Sequence, residues 1–150
     1  MIFDGGSSNR ADIYSYTQIE GIKKSLIYYF RIQAINDVGE SELSDPLQVL
    51  AAIPPTAPLN LTMVEPGAGS IQLSWTPPAD NGGSVLTAYY FYYQKYQSLA
   101  ADPDTWLKTS AVSHSLTEYT LVGLDADFEY RVRMTAENVR GEGAVSNSIT

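Results

Sequence analysis

Tyr28-Tyr29-Phe30-Arg31-Ile32-Gln33-Ala34-Ile35-Asn36-Asp37-Val38-Gly39-Glu40 recurs as Tyr130-Arg131-Val132-Arg133-Met134-Thr135-Ala136-Glu137-Asn138-Val139-Arg140-Gly141-Glu142, at a constant offset of 102 residues (130 − 28). Leu43-Ser44 meets Val145-Ser146 in the same register. A repeat at this spacing means a tandem array of small domains. It overrides the single-domain prior that 150 residues would otherwise carry. The second copy has a full front half and the first does not, so the chain reads as one nearly whole unit preceded by the back half of another.

Composition decides between broad classes. A 44% hydrophobic fraction, densely patterned, argues against disorder. The net charge of −8, with no basic cluster, argues against nucleic acid and anionic membrane surfaces as partners. There are no cysteines, which removes disulfide scaffolds, thiolate zinc sites and cysteine nucleophiles together. No stretch approaches the ~20 apolar residues of a membrane span, so no membrane insertion is expected. Met1 to Gly6 has neither a charged n-region nor an apolar h-region, so it is not read as a signal peptide. The signal of a secreted parent would lie upstream.

Alternation of apolar and polar residues predicts strands throughout and no helix. Residues 1 to 12 read as loop. Strand-like alternation begins at Ile13, Tyr14 and Tyr16 and continues through Ile19 and Ile22. Leu26 to Ile35 and Leu43 to Leu50 are predicted strands, separated by a turn at Asn36-Asp37-Val38-Gly39. Residues 51–58 carry three prolines and form a stiff, extended linker. Further strands are predicted at Leu59–Val64, Ile71–Trp75, Leu86–Gln94, Thr105–Lys108, Ser115–Val122, Tyr130–Glu137 and from Ala144 onward, with a turn at Pro66 to Gly69. Short strands between turn signals suggest an all-β sandwich.

The second unit resembles a fibronectin type III domain, an immunoglobulin-like β-sandwich. The resemblance rests on Pro55 to Pro58 leading into Leu61, on Ile71-Gln72-Leu73-Ser74-Trp75-Thr76-Pro77-Pro78, and on Asp80-Asn81-Gly82-Gly83-Ser84. It continues with Leu86 before Tyr89, Phe91 and Tyr93, with Leu124 six residues before Tyr130, and with Ala136, Asn138, Gly141 and Ser146. Residues 1–50 resemble the last three strands (E, F and G) of the same family, with Ile22 at the Leu124 position and Tyr28 at the Tyr130 position. The resemblance implies a half-module at 1–50, a linker at 51–58 and a nearly complete module at 59–150. Both ends then look like cuts through modules.

Each marked residue has an expected role. Trp75 should sit at the centre of the core with Tyr89, Phe91 and Leu124. Tyr130 and Tyr28 look like tyrosine-corner residues, each with a buried ring and a hydroxyl tied to nearby backbone. Val132, Met134 and Ala136 share the parity of Tyr130 and should face inward, as should Phe30, Ile32 and Ala34 in the first unit. Gly82 and Gly83 supply positive φ for a tight loop.

Catalytic and metal chemistry find little support. His114 is the lone histidine, so no triad or histidine metal site can be assembled within one chain. Asp102, Asp104, Asp125, Asp127 and Glu129 lie in turns and read as solvated. Asp80-Asn81-Gly82-Gly83 lacks the further ligands and closing glutamate of a calcium loop. Arg140-Gly141-Glu142 resembles an integrin-binding tripeptide, but the first unit repeats Gly39-Glu40 at the same place, so repeat architecture explains it. Asn60-Leu61-Thr62 is a glycosylation sequon on a predicted strand. No cofactor, metal or enzymatic activity is expected.

The candidate binding patch is on the outer face of the second unit. Tyr89, Phe91 and Tyr93 point inward, so Tyr90 and Tyr92 point outward. The resemblance pairs their strand with the one carrying Arg131 and Arg133. Two tyrosines beside two arginines have an interface composition, although a cation–π ladder covering the sheet would look the same. The leading expectation is a non-catalytic module of a scaffold, adhesion, cytoskeletal or ciliary protein, whose partners are neighbouring repeats or another chain. The absent cysteines tilt it toward an intracellular setting. The alternatives are an accessory domain of a secreted carbohydrate-active enzyme, or a half-domain completed by strands from a partner chain.

Overall fold

A computed structural model describes residues 17–96 and 105–150. Ile13, Tyr14, Tyr16, Asp102 and Asp104 lie outside the described residues. The first unit contributes β1 (Ile27–Phe30), β2 (Ile35–Asn36), β3 (Gly39–Glu40) and β4 (Leu47–Leu50). The second contributes β5 (Leu59–Gly67), β6 (Ser70–Thr76), β7 (Leu86–Lys95), β8 (Leu107–Lys108), β9 (Val112–Ser113), β10 (Glu118–Val122), β11 (Tyr130–Asn138) and β12 (Gly141–Glu142). The fold is an all-β, immunoglobulin-like sandwich.

In the second unit one sheet has the order β10-β6-β5 and the other β12-β11-β7-β8, with β9 also on β7. Period-two alternation turns one face of each sheet inward. Leu61, Leu73, Trp75, Tyr89, Phe91, Val112, Leu121, Tyr130, Val132, Met134 and Ala136 form one cluster, with Leu124 packed against its rim. Every member lies between Leu61 and Ala136, so this unit carries its own core. Each large apolar side chain buried there contributes about 1.5–3 kcal/mol. Trp75 meets Tyr89 and Phe91 edge-on at 5.2 Å each, the geometry that ring quadrupoles favour. Pro66 falls inside β5, which is tolerated because β5 is an edge strand. The hairpin to β6 therefore narrows to Ala68-Gly69 rather than opening at Pro66.

The repeat extends to individual hydrogen bonds. Ser41 N–H donates to Ala34 O and Ser44 N–H to Ile32 O; Gly143 N–H donates to Ala136 O and Ser146 N–H to Met134 O, each pair offset by 102. The pairing Phe30↔Leu47 recurs as Val132↔Ile149. The Tyr28 hydroxyl accepts from Lys23 N–H at 2.7 Å, and the Tyr130 hydroxyl from Asp125 N–H at 3.0 Å.

Several strands are shorter than alternation alone predicts. Leu26–Ile35 breaks between Phe30 and Ile35 because serine hydroxyls take the ladder positions. Ile32 N–H donates to Ser44 Oγ and Ala34 N–H to Ser41 Oγ, both at 3.0 Å. Leu43–Leu50 shrinks to β4 for the same reason. At the chain's end Met134 N–H donates to Ser146 Oγ, so the strand expected from Ala144 reduces to the single bridge at Ile149. The described part of the first unit's expected E strand, residues 17–20, is not strand. Among the described residues its counterpart β10 pairs with β6 alone, and no strand of the first unit corresponds to β6.

The first unit's inward face also differs from expectation. Ile32 is 77% exposed and Ala34 is exposed, while Tyr28 and Phe30 are half-buried. Among the described residues no strand of the first unit corresponds to β5 or β6, so no second sheet covers this face.

Candidate functional site

β7 and β11 pair antiparallel with Arg131 opposite Gln94, Arg133 opposite Tyr92 and Thr135 opposite Tyr90. Tyr90, Tyr92, Arg131 and Arg133 thus share the outer face, all half-buried. Their cation–ring contacts are shared with other side chains of the face. The Arg133 guanidinium lies 5.9 Å from the Tyr92 ring centroid and 3.9 Å from that of Trp106. Arg131 lies over the Tyr96 ring at 4.7 Å. The cation on Tyr90 is Lys108, at 3.8 Å, brought there because β8 pairs Lys108 with Tyr92.

Two carboxylates fill the spaces between these side chains. Tyr90 donates to Glu137 at 3.0 Å and Tyr92 to Glu142 at 2.6 Å. Thr135, 3% exposed, donates to Glu142 at 2.8 Å, and Lys108 pairs with the other Glu142 oxygen. Burial and the Glu142 hydrogen bond push the Tyr92 hydroxyl above its ordinary range. The hydrogen bond with Glu142 holds Lys108 high. Burial raises the Glu142 carboxyl, but donation by Lys108, Tyr92 and Thr135 outweighs it and leaves it below the ordinary carboxylate range. The Tyr90, Tyr92 and Thr135 hydroxyls, Lys108 and the two carboxylates are spent on one another, which fits a sheet cover, whereas Arg133 Nε is buried without a hydrogen-bond partner among the described residues. Glu142 belongs to Arg140-Gly141-Glu142, so that tripeptide's acid is already engaged. Arg140 is engaged too, its Nε donating to Ala52 O at 3.1 Å.

A carboxylate depressed in the folded state stabilises above its unfolded pKa, and that contribution is lost as pH falls through the folded value. The Glu142→Gln variant is therefore expected to lose about 1 kcal/mol at pH 7, after allowance for solvent screening. Its stability should converge on that of the parent once pH has fallen through the lowered Glu142 value, below the ordinary carboxylate range. Urea midpoints measured from pH 7 to pH 2 check this; a gap that stays constant through the acid range would remove Glu142 as its source.

The second concentration of contacts is where linker and units meet. Ala52, Pro55 and Pro58 are buried. Ile53 N–H donates to Gly82 O and Thr56 N–H to Asp80 O, both at 2.9 Å. Asn138, 3% exposed, donates through Nδ2 to Ile53 O at 2.8 Å and to Asn81 O at 2.7 Å. From the first unit, Ser25 N–H donates to Ala51 O at 2.8 Å and Lys24 pairs with Asp80. That pair, then the Gly82 N–H, lowers the Asp80 carboxyl. Gly82 has φ +76°, and a Cβ there would fall 2.9 Å from Ile53 C and 2.8 Å from Asn138 Nδ2. The Asp80–Gly83 loop thus clamps the linker. Among the described residues, no three His, Asp or Glu side chains are grouped to hold a metal ion.

Sequence reasoning placed the tyrosines and arginines on one face but missed Lys108, Glu137, Glu142, Thr135 and Trp106. The short pairing of β8 with β7 leaves no periodic signal. Asn138 belongs to the sequence pattern of the family, but its role at the linker has no signal in the sequence. Asn60, at φ +53°, is exposed and donates to Thr76 Oγ1 at 3.3 Å.

Comparison with known proteins gives a consistent picture. The family model described as Fibronectin type III domain matches residues 55–150. Titin of Drosophila melanogaster is 33% identical over 138 residues, covering 88% of this chain and 1% of that protein. M-protein of striated muscle from Gallus gallus is 30% identical over 138 residues, covering 89% of this chain and 9% of that protein. The crystal structure of domains A168–A170 from titin aligns with a TM-score of 0.65 at 25% identity, covering 85% of this chain and 41% of that one. The chain thus spans less than a tenth of the length of either curated relative.

Proposed function

The chain belongs to the fibronectin type III family, and on that footing we propose that it is a non-catalytic structural and protein-binding piece of a longer array, which holds successive modules in a set orientation. Residues 1–50 are then the back half of a preceding module, residues 51–58 the linker and residues 59–150 the next module. Its first partners are the neighbouring repeats of the same polypeptide.

The observation that carries this reading is the clamped linker. A flexible tether would leave its backbone to water. Here Ile53 and Thr56 donate to the Asp80–Gly83 loop, Ala52 and Ile53 accept from Arg140 and Asn138, and Ala51 bonds back to the first unit. Contacts of this kind turn a linker into a spacer with direction. The similarity to titin and M-protein fits such a role.

Amide relaxation on the 150-residue chain tests the reading. One rotational correlation time is expected for residues 27–50 and for the core strands β6, β7 and β11. Two separate values would show independent units and overturn it.

A further inference from the structure

The first unit's corner Gly21–Leu26 is the surface on which the second unit sits. Lys24 pairs with Asp80, Ser25 N–H bonds Ala51 O, and Gly83 lies so close that a Cβ on it would fall 2.9 Å from Ser25 N. The second unit repeats this corner at Gly123–Phe128, at the opposite pole from its own linker. The backbone matches residue by residue. Gly21 and Gly123 have φ +72° and +78°, and Ser25 and Asp127 have +71° and +65°. Positive φ at Ser25 and Asp127, neither of them glycine, is uncommon, so its recurrence marks a shared conformation. The Tyr28 and Tyr130 hydroxyls brace the two corners through the same bond.

The side chains differ in sign. Lys23, Lys24 and Ser25 become Asp125, Ala126 and Asp127. Lys95 pairs with Asp125, while Ala126 and Asp127 are exposed. A cleft of about 490 Å³ opens beside the corner, between Pro66–Ile71 and Leu124–Tyr130, with Phe128 and Thr150 on its wall.

We propose that the Gly123–Phe128 corner is the docking surface for the loop of a following repeat that corresponds to Asp80–Gly83, and that this loop carries a basic residue where Asp80 stands. The proposal rests on the array reading above. It takes its geometry from the junction already formed and its partner chemistry from the reversed charge. A loop with an acidic residue there would face Asp127 with like charge. Junctions of alternating sign would make the repeats non-interchangeable, a repulsive term excluding the wrong neighbour.

The test appends residues 49–150 to residues 1–150, which keeps the repeat offset and adds a unit with its own core. Because the chain lacks cysteine, Glu118→Cys in both complete modules gives one spin-label site on each. The distance distribution between the labels reads docking. With the appended copy unaltered, docking should be weak and should strengthen as salt rises from about 10 mM to about 1 M. With Asp80→Lys in the appended copy, the docked-to-undocked ratio should rise about fivefold at low salt and fall as salt is added. Ala126→Lys in the first complete module, opposite the unaltered loop, recreates the Lys24–Asp80 pair and should act like Asp80→Lys. Broad distributions in all three fusions, or docking with no opposite-signed salt response, would overturn the proposal. The relaxation experiment on the 150-residue chain uses no fusion, so failure of the array reading shows there independently.

Discussion

Replacing Trp75 by alanine is expected to destabilise the complete module by about 3–5 kcal/mol, much of what a domain of this size has. Trp75 is 5% exposed and bridges the sheets, coming from β6 and meeting Tyr89 and Phe91 of β7. Removing the indole deletes its transfer free energy and leaves a void that the surrounding β-sandwich can close only in part. The two edge-to-face contacts add to the loss, about 0.5–1.5 kcal/mol each. Trp75→Phe keeps an aromatic ring in contact and should retain most of the stability. Urea denaturation followed by far-ultraviolet circular dichroism measures both. A loss below about 1 kcal/mol for the alanine variant would mean that the core does not pivot on this ring. The first unit should unfold in the same transition, because among the described residues no second sheet covers Ile32 and its neighbours.

Where a residue's environment is set by periodicity along its own strand, the sequence is easy to read. Leu73 and Trp75 on β6, Tyr89 and Phe91 on β7, and Val132, Met134 and Ala136 on β11 are spaced by two and all face inward. Where a second strand decides, the sequence misleads. Ile32 and Ala34 have the same spacing as Met134 and Ala136 yet remain exposed, because burial belongs to a pair of sheets and not to one. The interrupted ladders at Ser44 and Ser146 were hidden for another reason. A hydroxyl substituting for a backbone carbonyl leaves no trace in hydrophobic alternation.

The outer face shows the same division. Alternation along β7 and β11 put Tyr90, Tyr92, Arg131 and Arg133 on one side of the sheet. Which cation meets which ring depends on β8, a two-residue strand with no pattern of its own, and it gives Tyr90 to Lys108. Glu142 reaches Tyr92 and Thr135 because the β11–β12 turn folds it back over the face. The junction was harder to foresee. Asp80-Asn81-Gly82-Gly83 and Asn138 are far apart in sequence, and only the closed sandwich brings them to one pole against the prolines of the linker.

Asn138 supplies the sharpest test of that junction, because the repeat provides its own control. Asn138 Oδ1 accepts from Arg140 N–H at 2.8 Å, as Asn36 Oδ1 accepts from Val38 N–H at 2.9 Å, so both asparagines brace the same turn. Asn138 alone also donates to Ile53 O and Asn81 O, from a site 3% exposed. Its removal strands two carbonyls and one amide, each carrying a desolvation cost of about 1–3 kcal/mol where water does not reach it. Asn138→Ala is expected to lose about 2–4 kcal/mol, and Asn36→Ala, at an exposed turn, less than about 1 kcal/mol. Asn138→Asp should be the most damaging of the three, since it places a carboxylate against two carbonyl oxygens. The two alanine variants should also separate in motion. Asn36→Ala should leave the units tumbling together, and Asn138→Ala should free the linker and give the units distinct correlation times. If Asn138→Ala loses stability but the units still tumble as one, the prolines and the Ile53 and Thr56 amides hold the linker without it, and Asn138 serves the turn alone.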